Sequence, residues 1–145
     1  MTLAKPINKY IDYIDAPEDT FEQYVEKALK YNFRCVFANL QEYETGRAML
    51  EGSDIILAGA IDFPQGTMTL EEKLARFEEY AACGFTEIDY VLNQESVENR
   101  DFDAIEREMT AIADFCRAHG ITEKVIVEMC KLDGDDAAKH RVCEI

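Results

Sequence analysis

The segment Gly84-Phe-Thr-Glu-Ile-Asp-Tyr-Val-Leu-Asn93 decides the fold, because it places a carboxylate in the middle of an apolar strand. Successive side chains of a strand point to opposite faces, so Asp89 shares one face with Val91 and Asn93. A buried carboxylate is costly unless it is paired, hydrogen-bonded or turned towards a polar cavity. Asp89 is therefore either a satisfied structural residue or an acid/base group at a functional site.

The composition indicates one domain with a substantial core. The chain has 145 residues, and 48% of them are hydrophobic. This length and composition are typical of a single globular domain and unlike those of a disordered chain. The formal net charge is −15, from 30 acidic and 15 basic residues. Such an excess of negative charge argues against nucleic acid or an anionic membrane as the main partner.

The sequence contains no segment that predicts secretion, membrane insertion or a metal site. Residues 1–6 lack an apolar signal region, and no run approaches the roughly 20 apolar residues of a membrane span. The five cysteines include no Cys-x-x-Cys pair, so we expect reduced, mostly buried thiols, including Cys130, in a cytoplasmic protein. The two histidines, His119 and His140, belong to no ligand cluster, and we expect neither a metal nor a cofactor.

Strand-like and helix-like segments alternate along the chain. The predicted strands lie at 7–13, 33–39, 54–61, 87–93 and 124–129. The predicted helices start at Thr20-Phe-Glu-Gln23 and Thr69-Leu-Glu-Glu72, two capping boxes, and also cover 41–50, 101–119 and 133–145. Five strand-helix units in succession predict a parallel sheet with helical crossovers.

Two parallel architectures fit this order. An open doubly wound sheet of five strands would be complete at this length, whereas a (β/α)8 barrel normally needs about 250 residues. Length alone favours the open sheet. The polar strand interiors favour the barrel, because Asp89 lies within its strand and Lys124 begins an otherwise apolar one. By alternation Lys124 would share a face with Ile126, Glu128 and Cys130, and a barrel lumen can hold such a polar cluster.

These segments resemble the deoxyribose-phosphate aldolases, which are class I aldolases on a (β/α)8 barrel. The strand Glu87-Ile-Asp-Tyr-Val-Leu-Asn93 is similar to the family's Glu-Ile-Asp-Met-Val-Ile-Asn. Ala60-Ile-Asp-Phe-Pro-Gln-Gly66 is similar to Val-Ile-Gly-Phe-Pro-Leu-Gly, and Lys124-Val-Ile-Val-Glu-Met129 to Lys-Val-Ile-Ile-Glu-Thr. Lys73 falls on a common lysine, and Cys143-Glu-Ile145 matches a Cys-Glu-Ile in the next helix. The resemblance implies that residues 1–145 form a single partial barrel domain with five of the eight β/α units.

The resemblance also implies a reaction. Family members cleave 2-deoxyribose 5-phosphate reversibly into glyceraldehyde 3-phosphate and acetaldehyde through a Schiff base. The imine-forming lysine lies on the sixth strand in a Lys-Thr-Ser-Thr-Gly motif, a second lysine lies on the seventh, and loops after the late strands hold the phosphate. All of these lie beyond the helix after strand five, where this chain ends. The expected ligand is a small sugar phosphate or aldehyde, and we expect the 145-residue chain by itself to be inactive.

The candidate catalytic residue is Asp89, which matches the family's proton-relay aspartate. We expect partial burial to raise the pKa of Asp89, or a partner lysine to hold it ionised. The candidate substrate-binding residues at the mouth of the barrel are Lys124, Asp12, Asn39 and Asp62. The first loop, Tyr13-Ile-Asp-Ala-Pro17, lacks the Thr and Lys of the family's Thr-Leu-Leu-Lys-Pro, which leaves the substrate preference open.

Five of eight strands would leave two open sheet edges, so we expect a homo-oligomer or completion by a missing C-terminal part. One alternative is an inactive aldolase-like fragment or half-barrel. Another is a receiver-like phospho-acceptor domain that binds Mg²⁺, with Asp12 and Asp15, Asp62 and Lys131 in the required roles. Asn93 argues against the receiver, because it stands where such a domain needs a Ser or Thr after strand four.

Overall fold

The structure is a computed structural model that describes residues 4–14 and 16–145, so Asp15, named above as a candidate metal ligand, lies outside the described residues. The described residues form two compact units, one that ends at Gly59 and one from Ala60 to Ile145. Both follow the predicted alternation of strands and helices.

The first unit contains short parallel strands with helices between them. Its elements are a 3-10 helix (Ile7–Tyr10), β1 (Asp12–Tyr13), α1 (Phe21–Tyr31), β2 (Cys35–Phe37), α2 (Tyr43–Met49) and the start of β3 (Ile56–Ile61). β1 pairs with β2, and β2 pairs with β3, both in parallel. The prediction of a strand over 7–10 is wrong, because Pro6 fixes φ at −57° and its carbonyl accepts the N–H of Lys9 at 3.0 Å, which forms a turn.

The second unit continues from the end of β3. Its elements are α3 (Leu70–Cys83), β4 (Glu87–Val91), α4 (Gln94–Asn99), α5 (Phe102–His119), β5 (Thr122–Ile126), a 3-10 helix (Met129–Leu132) and α6 (Asp136–Glu144). β4 and β5 pair in parallel, with Asp89 opposite Lys124. The α/β class predicted from the sequence is confirmed by this order of parallel strands and intervening helices.

The helix ends follow the predicted signals. Thr20 and Thr69 each form a complete capping box, in which the hydroxyl accepts a backbone N–H and the side chain three residues on accepts the cap's own N–H. Asp101 caps α5 by accepting the N–H of Ala104 at 3.0 Å. α3 and α5 end at Gly84 and Gly120, both in the left-handed conformation that glycine adopts most easily.

β5 ends earlier than predicted. Glu128 adopts φ +56°, and its carbonyl accepts the N–H of Lys131 at 2.9 Å, so the chain turns into a 3-10 helix. Glu128 and Cys130 therefore leave the strand and do not share the face of Lys124. All five cysteines are free thiols, but Cys130 is exposed, and the prediction that it is buried is wrong.

Apolar side chains form a core in each unit. The core of the first unit consists of Tyr24, Val25, Ala28, Val36, Leu50 and Ile55. Large side chains that are fully buried in the second include Phe77, Ile88, Tyr90, Leu92, Ile105 and Ile112. Each fully buried aliphatic or Phe side chain contributes about 1.5–3 kcal/mol relative to an exposed one. Among the described residues, no helix is both long enough and apolar enough to cross a membrane.

The pairing of β2 with β3 is inconsistent with a receiver-like sheet. In that strand order, 2-1-3-4-5, β1 lies between β2 and β3. Here Val36 of β2 is in direct register with Leu57 of β3. Lys131 pairs with Glu98 at the surface. The receiver alternative is therefore rejected on topology.

Candidate active site

Asp89 and Lys124 face each other across adjacent parallel strands. The Nζ atom of Lys124 lies 3.0 Å from Oδ1 of Asp89 and 2.9 Å from Oε1 of Glu87. The side chains of Asp89 and Glu87 are 14% and 6% exposed, and that of Lys124 is 32% exposed. One ammonium group therefore joins the two carboxylates on this face of β4, and Asp89 has the partner lysine that the sequence predicted.

Strand alternation explains this arrangement. Glu87 and Asp89 are two residues apart and project from the same face of β4, while the parallel register brings Lys124 opposite Asp89. An opposite charge within about 4–6 Å favours the charged form of both partners. Because the two carboxylates are largely buried, salt screens this contact less than it screens a surface ion pair.

The other face of β4 is apolar. Ile88 and Tyr90 are almost completely buried, and the ring of Phe77 meets the Tyr90 ring edge-on at 5.7 Å between centroids. Burial raises the pKa of Tyr90 well above its ordinary value, with smaller contributions from the charges of Glu108 and Glu123. Tyr90 is thus held neutral as a core residue, and the ionic chemistry of β4 is confined to the face of Asp89.

Asp62 lies directly after β3, but its carboxylate is buried. Its side chain is 3% exposed, and its two oxygens accept the N–H groups of Thr67 at 3.0 Å and Met68 at 2.8 Å. The Nζ atom of Lys73 is 3.5 Å from Oδ2. Asp62 adopts φ +59°, an uncommon conformation for a residue with a side chain. These contacts fix the loop that follows β3, and a substrate contact by Asp62 stays a prediction.

Lys73 matched a common lysine of the family, but its burial was not predicted from the sequence. Lys73 is completely buried, and its Nζ donates to Oε1 of Glu108 at 2.5 Å and to the carbonyl of Val91 at 2.6 Å. A signal was present, because Lys73 falls three residues after Leu70 and four before Phe77, on the apolar face of α3. A lysine at a core position of one helix predicts an acidic residue at a core position of a neighbouring element, because a buried charge needs an opposite charge beside it.

The remaining candidate residues belong to the first unit. Asp12 forms a two-pronged contact with Arg34, at 2.5 Å from Nε and 2.6 Å from Nη2. Asn39 accepts the N–H groups of Gln41 at 2.9 Å and Glu42 at 3.0 Å, and so stabilises the turn before α2. Both residues have structural contacts, and a substrate contact by either one stays a prediction.

Several curated relatives of the chain share one name. The deoxyribose-phosphate aldolase of Clostridium perfringens strain SM101 is 32% identical over 143 residues, which cover 99% of this chain and 62% of the relative. That of Lactobacillus acidophilus is 33% identical over 127 residues, which cover 88% of this chain and 54% of the relative. No protein-family model matches the chain. The chain thus spans a little over half of the length of these relatives.

Solved structures show the same likeness. The tetrameric deoxyribose phosphate aldolase of Aeropyrum pernix matches with a TM-score of 0.67 and 26% identity, over 88% of this chain and 56% of that one. A crystal structure from Coccidioides immitis, assigned to the same kind of enzyme, matches with a TM-score of 0.76 and 21% identity, over 92% and 54%. The chain is therefore a homologue of the deoxyribose-phosphate aldolases, and its fold corresponds to part of their (β/α)8 barrel.

Proposed function

We propose that this chain supplies the proton-transfer pair of a deoxyribose-phosphate aldolase-like lyase. The reaction is the reversible cleavage of 2-deoxyribose 5-phosphate into glyceraldehyde 3-phosphate and acetaldehyde through a Schiff base. The observation that carries the proposal is the contact between Asp89 and Lys124, at 3.0 Å across β4 and β5. The similarity to enzymes of that name over 99% of the chain supports the choice of substrate.

The reaction sets clear chemical requirements. An amine forms an imine with the substrate carbonyl, and a base then removes the proton of the hydroxyl beside the carbon–carbon bond that breaks. The electrons of that bond pass into an enamine, whose carbon afterwards takes up a proton. Asp89 is suited to both proton steps, because a carboxylate that accepts the hydroxyl proton can return it to the enamine carbon. Lys124 fixes the carboxylate and favours its ionised form.

Lys124 is a poor choice for the imine-forming lysine. Its ammonium contacts the carboxylates of Glu87 and Asp89, and both contacts favour the protonated form, which is not nucleophilic. In this proposal the amine is provided by the sixth strand of the barrel, as the resemblance implies. The chain alone then has the base but not the nucleophile.

A chimaeric barrel tests the proposal. Residues 1–145 are joined to the part of the Clostridium perfringens relative that they do not match, and cleavage of 2-deoxyribose 5-phosphate is measured. We expect Asp89→Asn to lower kcat by about 10²–10⁴-fold, the usual contribution of a general acid/base, while borohydride still traps acetaldehyde on the barrel. The matched control is Asp114→Asn on the exposed face of α5, which should leave kcat unchanged.

Two results would contradict this division of roles. Turnover of the Asp89→Asn chimaera within twofold of its parent would remove Asp89 from the proton steps. In a parallel experiment the 145-residue chain alone is treated with acetaldehyde and borohydride, and we expect no mass increase. A trapped adduct that peptide mapping places on Lys124 would show that this lysine is the nucleophile after all.

A further inference from the structure

Three buried side chains of the second unit form an ionic cluster outside the Asp89 pair. Asp62, Lys73 and Glu108, called here the buried clamp, have side chains that are 3%, 0% and 7% exposed. The Nζ atom of Lys73 donates to Glu108 and to the carbonyl of Val91, and it lies 3.5 Å from Asp62. The ammonium group thus donates two hydrogen bonds and lies within ion-pair distance of a third oxygen.

Burying these three charged side chains is energetically unfavourable in itself. Two carboxylates and one ammonium leave a formal charge of −1 away from water, and removing charges from water costs several kcal/mol per ion. The remaining carboxylate oxygens are satisfied by backbone N–H groups, from Thr67 and Met68 to Asp62 and from Asn93 to Glu108 at 3.2 Å. Apolar side chains of similar volume often replace a buried ion pair without loss of stability, but here they would leave the N–H groups of Thr67, Met68 and Asn93 without these acceptors. What the ions add is a fixed arrangement of these backbone segments.

The segments that the clamp joins meet at one end of the strands. Asp62 opens the loop after β3, and Lys73 and Glu108 are presented by α3 and α5. The carbonyl of Val91 belongs to the last residue of β4, two residues after Asp89, and the N–H of Asn93 follows two residues later. In parallel α/β folds, binding and catalytic groups lie at this end of the strands.

A close backbone approach strengthens this connection. Gly66, in the loop after β3, donates its N–H to the carbonyl of Asp62, and its own carbonyl accepts the N–H of Gln94, both at 2.8 Å. A Cβ atom at Gly66 would lie 2.5 Å from the carbonyl oxygen of Leu92. The loop and the end of β4 therefore form one tightly packed structure, to which the clamp adds buried charged contacts.

We propose that the buried clamp holds the C-terminal end of β4 in the position that Asp89 needs for proton transfer, which makes Lys73 and Glu108 positioning residues. The catalytic part of this inference rests on the proposed function. The structural part does not, because the position of β4 can be measured without any turnover. Asp62 contributes by tying the loop after β3 to the same ammonium group.

Glu108→Gln is the primary test, with Glu106→Gln as its matched control on the same helix. The amide at position 108 keeps the shape and one acceptor, but it loses the charge and the second acceptor. We expect the amide protons of Met68 and Asn93 to exchange at least about tenfold faster relative to the slowest core amides, a loss of local protection of about 1.4 kcal/mol. The amide resonances of Asp89 and Lys124 should also shift. The control changes only an exposed contact, between Glu106 and Arg141.

The chimaeric barrel described above supplies the catalytic readout. Glu108→Gln should lower kcat while KM and imine trapping stay within twofold of the parent, because substrate binding and the nucleophile are untouched. Unchanged amide exchange at Met68 and Asn93 would overturn the positioning proposal, whatever the kcat of the chimaera. An inactive parent chimaera would instead count against the proposed function and leave the exchange result standing.

A variant of the clamp without charges distinguishes a positioning role of the ions from a simple packing role. The triple variant Asp62→Asn, Lys73→Met, Glu108→Leu replaces the ions with groups of similar size, and it should fold even if Lys73→Met alone does not. We expect a folded protein with fast exchange at Asn93 and a low kcat. Native exchange at Asn93 together with parental kcat would show that any well-packed side chains suffice, and the proposal would then be wrong.

Discussion

At the level of single residues, β4 separates two chemistries within five positions. Tyr90 turns towards the apolar core, whereas Asp89 and Glu87 turn towards the ammonium of Lys124. A shift of β4 by one residue would turn Tyr90 towards Lys124 and Asp89 towards the core, because strand alternation has a period of two. The register between β4 and β5 is therefore fixed by charge on one face and by burial on the other.

Gly66 is a residue whose replacement should be especially harmful. Its φ is +64°, and a Cβ atom would meet the Leu92 carbonyl and the Gln94 side chain, both at 2.5 Å. We expect Gly66→Ala to reduce the free energy of unfolding by more than the roughly 1–2 kcal/mol that a left-handed conformation costs alanine. Urea unfolding followed by circular dichroism measures this loss.

Gly134→Ala provides the control for that substitution. Its φ is +79°, and no atom lies within 4 Å of the position that a Cβ atom would take. This variant carries the conformational cost without the collision, so the difference between the two losses gives the cost of the close approach. Equal losses for both variants would mean that the loop after β3 can move away from β4.

The cysteines should differ sharply in reactivity. Burial raises the pKa of Cys116 to about 12, with a smaller contribution from the charge of Glu123, whereas Cys130 and Cys143 are exposed. The thiolate is the reactive form, so iodoacetamide at pH 8 should modify the two exposed cysteines in the folded protein and Cys116 only after unfolding. Peptide mass mapping against time gives the three rates, and early labelling of Cys116 would contradict its burial.

Alternation and charge made Asp89 and Lys124 predictable from the sequence. The burial of Lys73 and its contact with Glu108 were not predicted, because lysine and glutamate are normally surface residues. The contacts of Asp62 were also beyond sequence reasoning, since they depend on a left-handed backbone at a residue other than glycine. Local sequence patterns predict which face of a strand or helix a residue occupies, but they do not predict which charged residue, distant in sequence, will contact it.

At the level of elements, the contribution of the α3 capping box to stability can be measured directly. The Thr69 hydroxyl accepts the N–H of Glu72 at 3.2 Å, and the Glu72 carboxylate accepts the N–H of Thr69 at 2.8 Å. Thr69→Ala should lower the free energy of unfolding by about 0.5–2 kcal/mol. Thr110→Ala, at an exposed position within α5, should be neutral or slightly stabilising because alanine has the higher helix propensity. If the two variants behave alike, the cap makes no contribution.

The elements that the sequence predicted well are those with strong end signals. The long helices α3 and α5 begin at Thr69 and Asp101 and end at glycines, as expected. The six-residue helix α4 was missed, because it has too few turns to show an apolar period, and only Asn93 marks its start. The early end of β5 was missed because Glu128 leaves the strand through a conformation that no sequence signal marks.

At the level of the whole molecule, self-association should depend on salt. Several apolar side chains of the first unit are exposed, among them Ile7 and Ile14, and such groups favour contacts between molecules. The net charge of −15 opposes them. We expect light scattering after size exclusion to show a larger share of oligomer at about 0.5 M salt than at 0.05 M, since salt shortens the range of the repulsion. A monomer at both concentrations would contradict this.

The overall architecture was predictable only in part. The order of strands and helices gave the α/β class, but length alone favoured an open sheet. The polar groups inside β4 and β5 pointed to a barrel, and homology to barrel enzymes agrees with them. What decided the question was chemistry within the strands, since Asp89 and Lys124 would have no place in a sheet covered by helices on both faces.

The complete burial of Lys73 gives the protein a built-in reporter. A reagent that acetylates amines reaches exposed lysines at once, but it can reach Lys73 only when α3 or α5 moves away. The rate at which this one amine becomes acetylated therefore measures how often the second unit opens. Once acetylated, Lys73 could no longer bind Asp62 and Glu108 as a cation, so a molecule that reacts while open could not return to its original packing.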